Sequence, residues 1–336
     1  MDDGFHALQG SIDGLPGGQV GWRERLMREG RGFSARTSLS RSSRSPPLKA
    51  LVAHVDGGWE QHSRRQLTRV WDAPEVAGHT FDALLCVTEY VLSTGDPYDR
   101  LAGSAKRLRA QAQQAGALRG EAFAATVLRE TELFAGNLEA ARLHLLDAVR
   151  LSREVGAVGG ESPARMRLGE ALLSLGDRPG ARAQPEEALE LAHVSPIPQH
   201  LVYLVYGALL RLPDEVAEAL ALIARAETVF DPRWVCSFCP TGYHVAAGAV
   251  CARAGELARA GVLERAERGA GGWPGGPWTA AVAEARAELL RAEGELDAAE
   301  TALRRAAEGY SAAGQLLNER RARKALEGLL RADVSA

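Results

Sequence analysis

Lysine is almost missing from this chain, with three among its 40 basic residues. Arginine supplies the other 37, a bias that reads as GC-rich coding rather than a nucleic-acid-binding design, because the formal net charge is -3. With a pI near 6.3, no overall field draws the chain to DNA or to an anionic membrane. Cysteine is scarce too: there are four in 336 residues, three of them within 16 positions. That excludes a disulfide framework and makes a reducing cytoplasm the expected location. Nothing approaches the roughly 18 consecutive apolar residues of a membrane-spanning helix. The opening Met1-Asp2-Asp3-Gly4 lacks the basic end and apolar run of a secretory signal. Aromatics make up only 6%, and no useful length alternates with period two, so strands are not expected.

What is abundant is alanine, leucine and arginine, a mix that favours helices. At 46% hydrophobic and 25% charged the chain can bury a core. Its length suits about two domains or one repeat array. The first 60 residues stand apart. Gly10 to Gly21 is punctuated by glycine and proline, and Ser34 to Pro47 reads S-A-R-T-S-L-S-R-S-S-R-S-P-P. Such a stretch has too little apolar periodicity to offset its ordering entropy. From Gly21 to Val70 there are 11 Lys or Arg against 4 Asp or Glu. The segment is expected to be a solvated, poorly ordered basic leader, with nucleic-acid contact as the alternative.

Beyond residue 75 a repeat emerges. Glycine followed by Asp, Asn or Glu occurs at Gly95-Asp96, Gly136-Asn137, Gly176-Asp177, Gly255-Glu256 and Gly294-Glu295. The spacings are 41, 40, 79 and 39 residues, and Leu212-Pro213-Asp214 falls near the middle of the long interval. Each glycine suits a left-handed helix stop, and the next Asp or Asn suits an N-cap for a second helix. Ala141, Leu145 and Ala148 follow one turn at the same offsets as Ala299, Leu303 and Ala306 follow another, and Ala181, Pro185 and Ala188 keep the frame with a proline. Spacings of 4 and 3 put one apolar stripe on a single helix face. Helix-like segments precede the turns at Glu121–Phe134, Ser162–Leu175, Gln199–Leu210, Tyr243–Ala254 and Trp278–Ala292. Looser spacers are expected at Gly156–Gly160, Pro196–Pro198, Asp231–Pro240 and Gly269–Pro277, and a closing helix over Leu316 to Leu330. A helix–turn–helix unit cannot bury its apolar face alone, so the units must stack.

The stretch from Cys236 to Arg323 carries C-S-F-C-P at Cys236–Pro240, A-V-C-A-R-A-G-E-L at Ala249–Leu257, G-P-W-T-A-A-V-A-E-A-R-A-E-L at Gly276–Leu289 and E-G-Y-S-A-A-G-Q-L-L at Glu308–Leu317. In these residues the chain resembles the tetratricopeptide-like helical repeat region of actinobacterial LuxR-family regulators, the MalT-like signal-transduction ATPases. The resemblance extends more loosely over residues 75–330. It implies an ATPase module, the repeats as sensor and scaffold, and a C-terminal DNA-binding helix-turn-helix. No G-x-x-x-x-G-K-[ST] is present, and none of Lys49, Lys106 and Lys324 follows a glycine. The expectation is therefore the repeat portion of such a regulator, without its ATPase and DNA-binding domains.

The sharpest chemical cluster is Cys236-x2-Cys239-x4-His244-x6-Cys251. Thiolates and an imidazole are a reasonable zinc set. If a helix begins near Thr241, His244 and Cys251 stand roughly 10 Å apart along its axis, so one of them drops out. Cys236 and Cys239 remain as the candidate metal or redox pair, ahead of a helix N-terminus that favours thiolates. The alternative is small apolar fillers, with Cys251 and Cys86 on core faces. Trp234 and Phe238 beside one break, and Trp273 and Trp278 beside another, are either anchors for a partner or plugs between repeats. Gly30-Arg31-Gly32-Phe33-Ser34-Ala35 imitates a dinucleotide fingerprint, but no strand precedes it. Arg320, Arg321, Arg323 and Lys324 on the closing helix serve salt bridging, or else an acidic partner.

The sequence thus predicts an all-α protein. Residues 61–336 form a right-handed solenoid of about six helix-turn-helix hairpins, behind a low-order leader at 1–60. The expected role is non-catalytic, with no cofactor and no membrane: a scaffold that binds a protein, peptide or small inducer in the groove lined by the first helices. Direct nucleic-acid binding is not expected. A small metal- or redox-binding protein built on Cys236 and Cys239 is the alternative.

Overall fold

The computed structural model describes residues 98–195, 198–230, 239–256, 261–271 and 276–334. The leader, the turn at Gly95-Asp96, and Cys86, Trp234, Cys236, Phe238 and Trp273 lie outside them. Twelve α-helices and no strand occur among the described residues. They are α1 (Tyr98–Ala115), α2 (Leu118–Phe134), α3 (Leu138–Glu154), α4 (Val158–Ser174), α5 (Arg178–His193) and α6 (Pro198–Leu209). Then come α7 (Val216–Val229), α8 (Thr241–Arg253), α9 (Val262–Ala270), α10 (Pro277–Glu293), α11 (Leu296–Ala312) and α12 (Leu316–Val334). Successive helices pack side by side as a helical solenoid. Even-numbered helices are the first of each hairpin and odd-numbered ones the second.

The turns explain the regularity. Glycines with left-handed φ stand at 116, 136, 156 and 176, and again at 255, 294 and 314. At Gly136 the glycine N–H reaches Leu133 O at 3.0 Å and the Asn137 N–H reaches Glu132 O at 2.9 Å. That nested pair closes the carbonyls of the helix end, and it recurs at all seven glycines. The true period is therefore 20 residues, because the turn within a hairpin and the turn between hairpins are the same device. Gly156–Gly160, expected as a loose spacer, is one such tight turn, and α4 begins at Val158.

Side-chain capping departs from expectation at one of the two best-placed residues. Asp177 accepts from the Gly180 N–H at 3.0 Å. Asn137 makes no such bond, and its amide instead donates to Glu132 Oε2 at 2.7 Å. The backbone carbonyl of residue 137 still accepts from Ala141 N at 2.9 Å, so α3 starts without help from the side chain.

The apolar stripe is in place: Ala141, Leu145, Ala148, Ala181, Ala188, Ala299, Leu303 and Ala306 are buried. Small residues set how close the helices come. A Cβ on Gly309 would lie 2.9 Å from the Cβ of Ala280, so α11 and α10 touch almost backbone to backbone. Pro185, which broke the sequence frame, fills the space above Gly169, where a Cβ would meet its ring at 2.6 Å.

The two helices of a hairpin differ in burial. α2 buries 14 of its 17 residues, whereas α3 buries 6 of 17, the one-sided pattern of an outer helix. The first helices are enclosed in part because the two ends of the described residues come together. α12 packs against α2. The Gln315 amide donates to Tyr98 Oη at 2.7 Å across 217 positions of sequence. Leu317 joins Leu133, Leu145 and Leu168 in one cluster, and the Arg320 guanidinium lies over Gly136. The groove expected along the first helices is thus drawn in around a buried set of charges.

Candidate functional site

Charged residues are the unexpected content of the first helices. The α2 run A-F-A-A-T-V-L-R-E-T-E-L-F carries Arg129 and Glu130 in a segment buried on almost every face. An ion removed from water must find a counter-ion, and α2 and its neighbour α4 supply them. The Arg129 guanidinium lies 3.5 Å from Glu130, and Arg167 of α4 approaches the same carboxylate at 3.6 Å. Arg167 also donates to Glu170 at 2.8 Å and sits 5.0 Å above the Phe134 ring.

Across the interior, Arg321 of α12 grips Glu284 of α10 with two donors at 2.8 and 2.6 Å. That is the parallel fork that suits a carboxylate. The Tyr310 hydroxyl donates to the same carboxylate at 2.9 Å and accepts from Arg321 at 3.2 Å. Arg211, just past the end of α6, completes the set with its guanidinium 3.8 Å from Glu170.

Burial and charge work against each other here. Burial alone would raise the Glu170 carboxyl, but Arg167, Arg211 and Arg321 outweigh it and hold the group below the usual carboxylate range. Glu284 behaves alike: burial opposes ionisation, and Arg321, helped by the Tyr310 hydroxyl, overcomes it. Burial, and then Glu284, push the Tyr310 phenol far upward, so it stays protonated and donates. Arg211 is driven downward, by burial first and by the repulsion of Arg321 second. Its side chain nevertheless keeps 36% of its surface, and that of Arg321 keeps 43%. Both side chains are therefore accessible to solvent.

The sequence-predicted site residues are distributed differently. Cys239 stands just before α8, with His200 Nδ1 of α6 at 2.8 Å from its Sγ. His200 was not singled out from the sequence; it lies 39 positions away and only the packing of α6 on α8 pairs them. His244 is not gathered with that pair. Its Nε2 accepts from Arg265 Nε at 3.3 Å, and burial, then Arg265 and Arg268, bring its pKa down to about 4. Cys251 is buried in the main core. Among the described residues no three His, Cys, Asp or Glu side chains come together as a metal site would require.

Trp278 is half-buried, packed on the main core, with its ring 3.1 Å from where a Cβ on Gly242 would lie. Among the described residues, aromatic rings of α6, α7 and α8 gather beside the break before α8. Tyr203 stacks on Phe230 at 3.8 Å between centroids, and Tyr243 meets Phe230 edge-on at 4.7 Å. Of the basic run on α12, Arg321 bridges to α10 and Arg323 pairs with Glu319 at 2.8 Å.

Fold and site together define a helical repeat protein. No family model matches the chain, and no curated protein matches it. Among solved structures it is similar to the crystal structure of a Rap protein complexed with competence and sporulation factor. That pair shares 13% identity over 97% of this chain and 91% of the other, with a TM-score of 0.37. No helix among the described residues is long and apolar enough to cross a membrane.

Proposed function

We propose that the chain is a non-catalytic recognition scaffold, the sensor portion of a LuxR-family type of transcriptional regulator, which binds a protein, peptide or small inducer at the inner side of its solenoid. The observation that carries this reading is the convergence of α4, α6, α10, α11 and α12 on one partly solvent-open cluster of charge, at Glu170, Arg211, Glu284, Tyr310 and Arg321. Charges on the outer helices pair within one helix, as Arg150 does with Asp147 and Glu154, and between neighbouring outer helices, as Arg109 does with Asp147 and Arg182 with Glu218. The inner ones couple different helices, so a bound molecule touching them would change how the helices sit together. The test is affinity capture by the full chain from its source extract, with identification of what is retained. Partners lost on Glu170→Gln or Tyr310→Phe, in variants that keep wild-type helicity, support the reading. Partners that remain bound to both remove it.

A second reading, a metal or redox role at Cys239, is favoured by the 2.8 Å approach of His200 Nδ1 to its Sγ. An imidazolium at that distance stabilises a thiolate. Metal analysis of untagged protein decides it. Stoichiometric metal lost in both Cys239→Ser and His200→Gln supports the role, as does a thiol titrating below pH 7, and the absence of both ends it.

A further inference from the structure

A ladder of side-chain hydrogen bonds runs from the charge cluster to α1, and it has a direction. Gln315, Asn318 and Arg321 follow one another at intervals of three residues where the chain turns into α12. Arg321 Nη1 donates to Asn318 Oδ1 at 2.7 Å, the Asn318 amide donates to Gln315 Oε1, and the Gln315 amide donates to Tyr98 Oη at 2.7 Å. On its other side Arg321 holds Glu284. Tyr98, Gln315 and Asn318 are buried, so a rung that fails leaves a polar group out of reach of water. The direction follows from the donors. A guanidinium has no acceptor, so Arg321 can face only the oxygen of the Asn318 amide. That turns Asn318 Nδ2 toward Gln315, which must present Oε1 and send its own Nε2 on to Tyr98. Without the cation the two amides have a second arrangement, turned over, in which the Tyr98 hydroxyl donates and Asn318 Nδ2 is left idle. Either way the ladder is one rung short.

We infer that this ladder is a clasp that ties α12 to α1 according to the state of the charge cluster. Arg321 engaged with Asn318 keeps the clasp closed, and a partner that draws Arg321 away loosens it. The inference rests on the scaffold reading for what moves Arg321, while the ladder stands without it. Arg321 is placed for both tasks, with Glu284 on one side, Asn318 on the other and 43% of its side chain open to an incoming acceptor. The other contacts between α12 and the first hairpin lie between the rungs. Leu317 joins the leucine cluster that includes Leu133, and Arg320 lies over Gly136. A loosened rung therefore reaches them too, and an event at Glu284 of α10 is felt at α1.

The experiment is amide hydrogen exchange on the full chain, read by mass spectrometry over α1 and α12. Gln315→Met removes the last rung and speeds exchange in α1 about fivefold, the scale of one net hydrogen bond. Asn318→Leu and Arg321→Met do the same in α1, although their own bonds end at Gln315 and on α10. Gln315→Met combined with Asn318→Leu adds less than about twofold, because the ladder is already cut. Asn318→Asp stays within about twofold of wild type, since its carboxylate accepts both from Arg321 and from a turned-over Gln315, whose oxygen then takes the Tyr98 proton. If Arg321→Met does not fold, Asn318→Leu carries the test, because it leaves the fork to Glu284 in place. Asp177→Ala, which removes a cap on α5, leaves α1 unchanged. Each converse result overturns the clasp: wild-type exchange in α1 of Asn318→Leu or Arg321→Met, Asn318→Asp as fast as Asn318→Leu, effects that multiply in the double variant, or equal acceleration in Asp177→Ala. The scaffold reading is judged separately. Captured partners that leave Glu170→Gln, with α1 unresponsive to Asn318→Leu, remove the clasp alone, and partners that stay on both Glu170→Gln and Tyr310→Phe remove the scaffold reading.

Discussion

The stretch from α1 to α5 and the stretch from α6 to α9 solve the same packing problem in different ways. In the first, helices of 16 to 18 residues alternate with glycine turns of two or three residues, the glycines at a strict 20-residue period. In the second, the helices shorten to 12, 14, 13 and 9 residues, and Leu212-Pro213-Asp214 replaces the glycine turn. Shorter helices offer less stripe to bury, and aromatics make up the difference: Tyr203, Tyr206, Phe230 and Tyr243 form a continuous set of ring contacts. Regular turns make small side chains sufficient, and broken turns demand large ones.

The largest expected effect lies in the irregular stretch, where backbones meet. A Cβ on Gly207 would stand 3.0 Å from Tyr243 N and 3.1 Å from Gly242 C, with no flexible side chain to yield. Gly207→Val should cost about 3 kcal/mol, read by urea denaturation. A cost below about 1 kcal/mol would mean that α6 and α8 are not in backbone contact.

Acid should strike the same stretch. His244 is held neutral with a folded-state pKa of about 4 against 6.5 for the free group. Its contribution is complete above pH 6.5 and is lost as pH falls toward 4, because the unfolded chain takes up the proton first. Up to about 2.5 kcal/mol should disappear between pH 7 and pH 4.5. His244→Gln should flatten that part of the curve, and a variant as acid-sensitive as wild type would show that other groups set it.

Smaller effects probe the regular turns. Gly294 has φ 85° and open space around it, so Gly294→Ala isolates the cost of a left-handed alanine, about 1 to 2 kcal/mol. Asp177→Ala should cost about 1 kcal/mol because its side chain caps α5. Asn137→Ala should cost less than about half of that, since its side chain caps nothing. Equal losses in denaturation midpoint for the two would erase the distinction between these turns.

Much of this was legible in the sequence, and what was not has physical reasons. The turns at Gly136, Gly176, Gly255 and Gly294 announced themselves because a polar residue followed the glycine. Gly116, Gly156 and Gly314 were passed over because Ala117, Ala157 and Gln315 follow them. The helix stop needs only the glycine, and Gly116, Gly156 and Gly314 each stand 20 residues from a turn that a polar residue marks. The stripe through Ala141, Leu145 and Ala148 was readable from spacing, since a single helix face is a local property. The charge cluster was not, because Arg129 and Arg321 are 192 positions apart and nothing local says that the solenoid curls. A faint signal existed in Arg129 and Glu130 lying inside an apolar run, where ions are retained only if partners await them. His200 beside Cys239 was invisible for the same reason.

The bond from Gln315 to Tyr98 has a consequence for how this architecture can change. An open repeat array can be lengthened or trimmed one hairpin at a time, because each unit leans only on its neighbours. An array that meets its own first helices has a circumference. Inserting one more hairpin would carry Leu317 and Gln315 past their seats on α2 and α1, and removing one would leave them short. The number of hairpins between Tyr98 and Gln315 is therefore set by geometry, as the number of staves is set in a barrel of given girth.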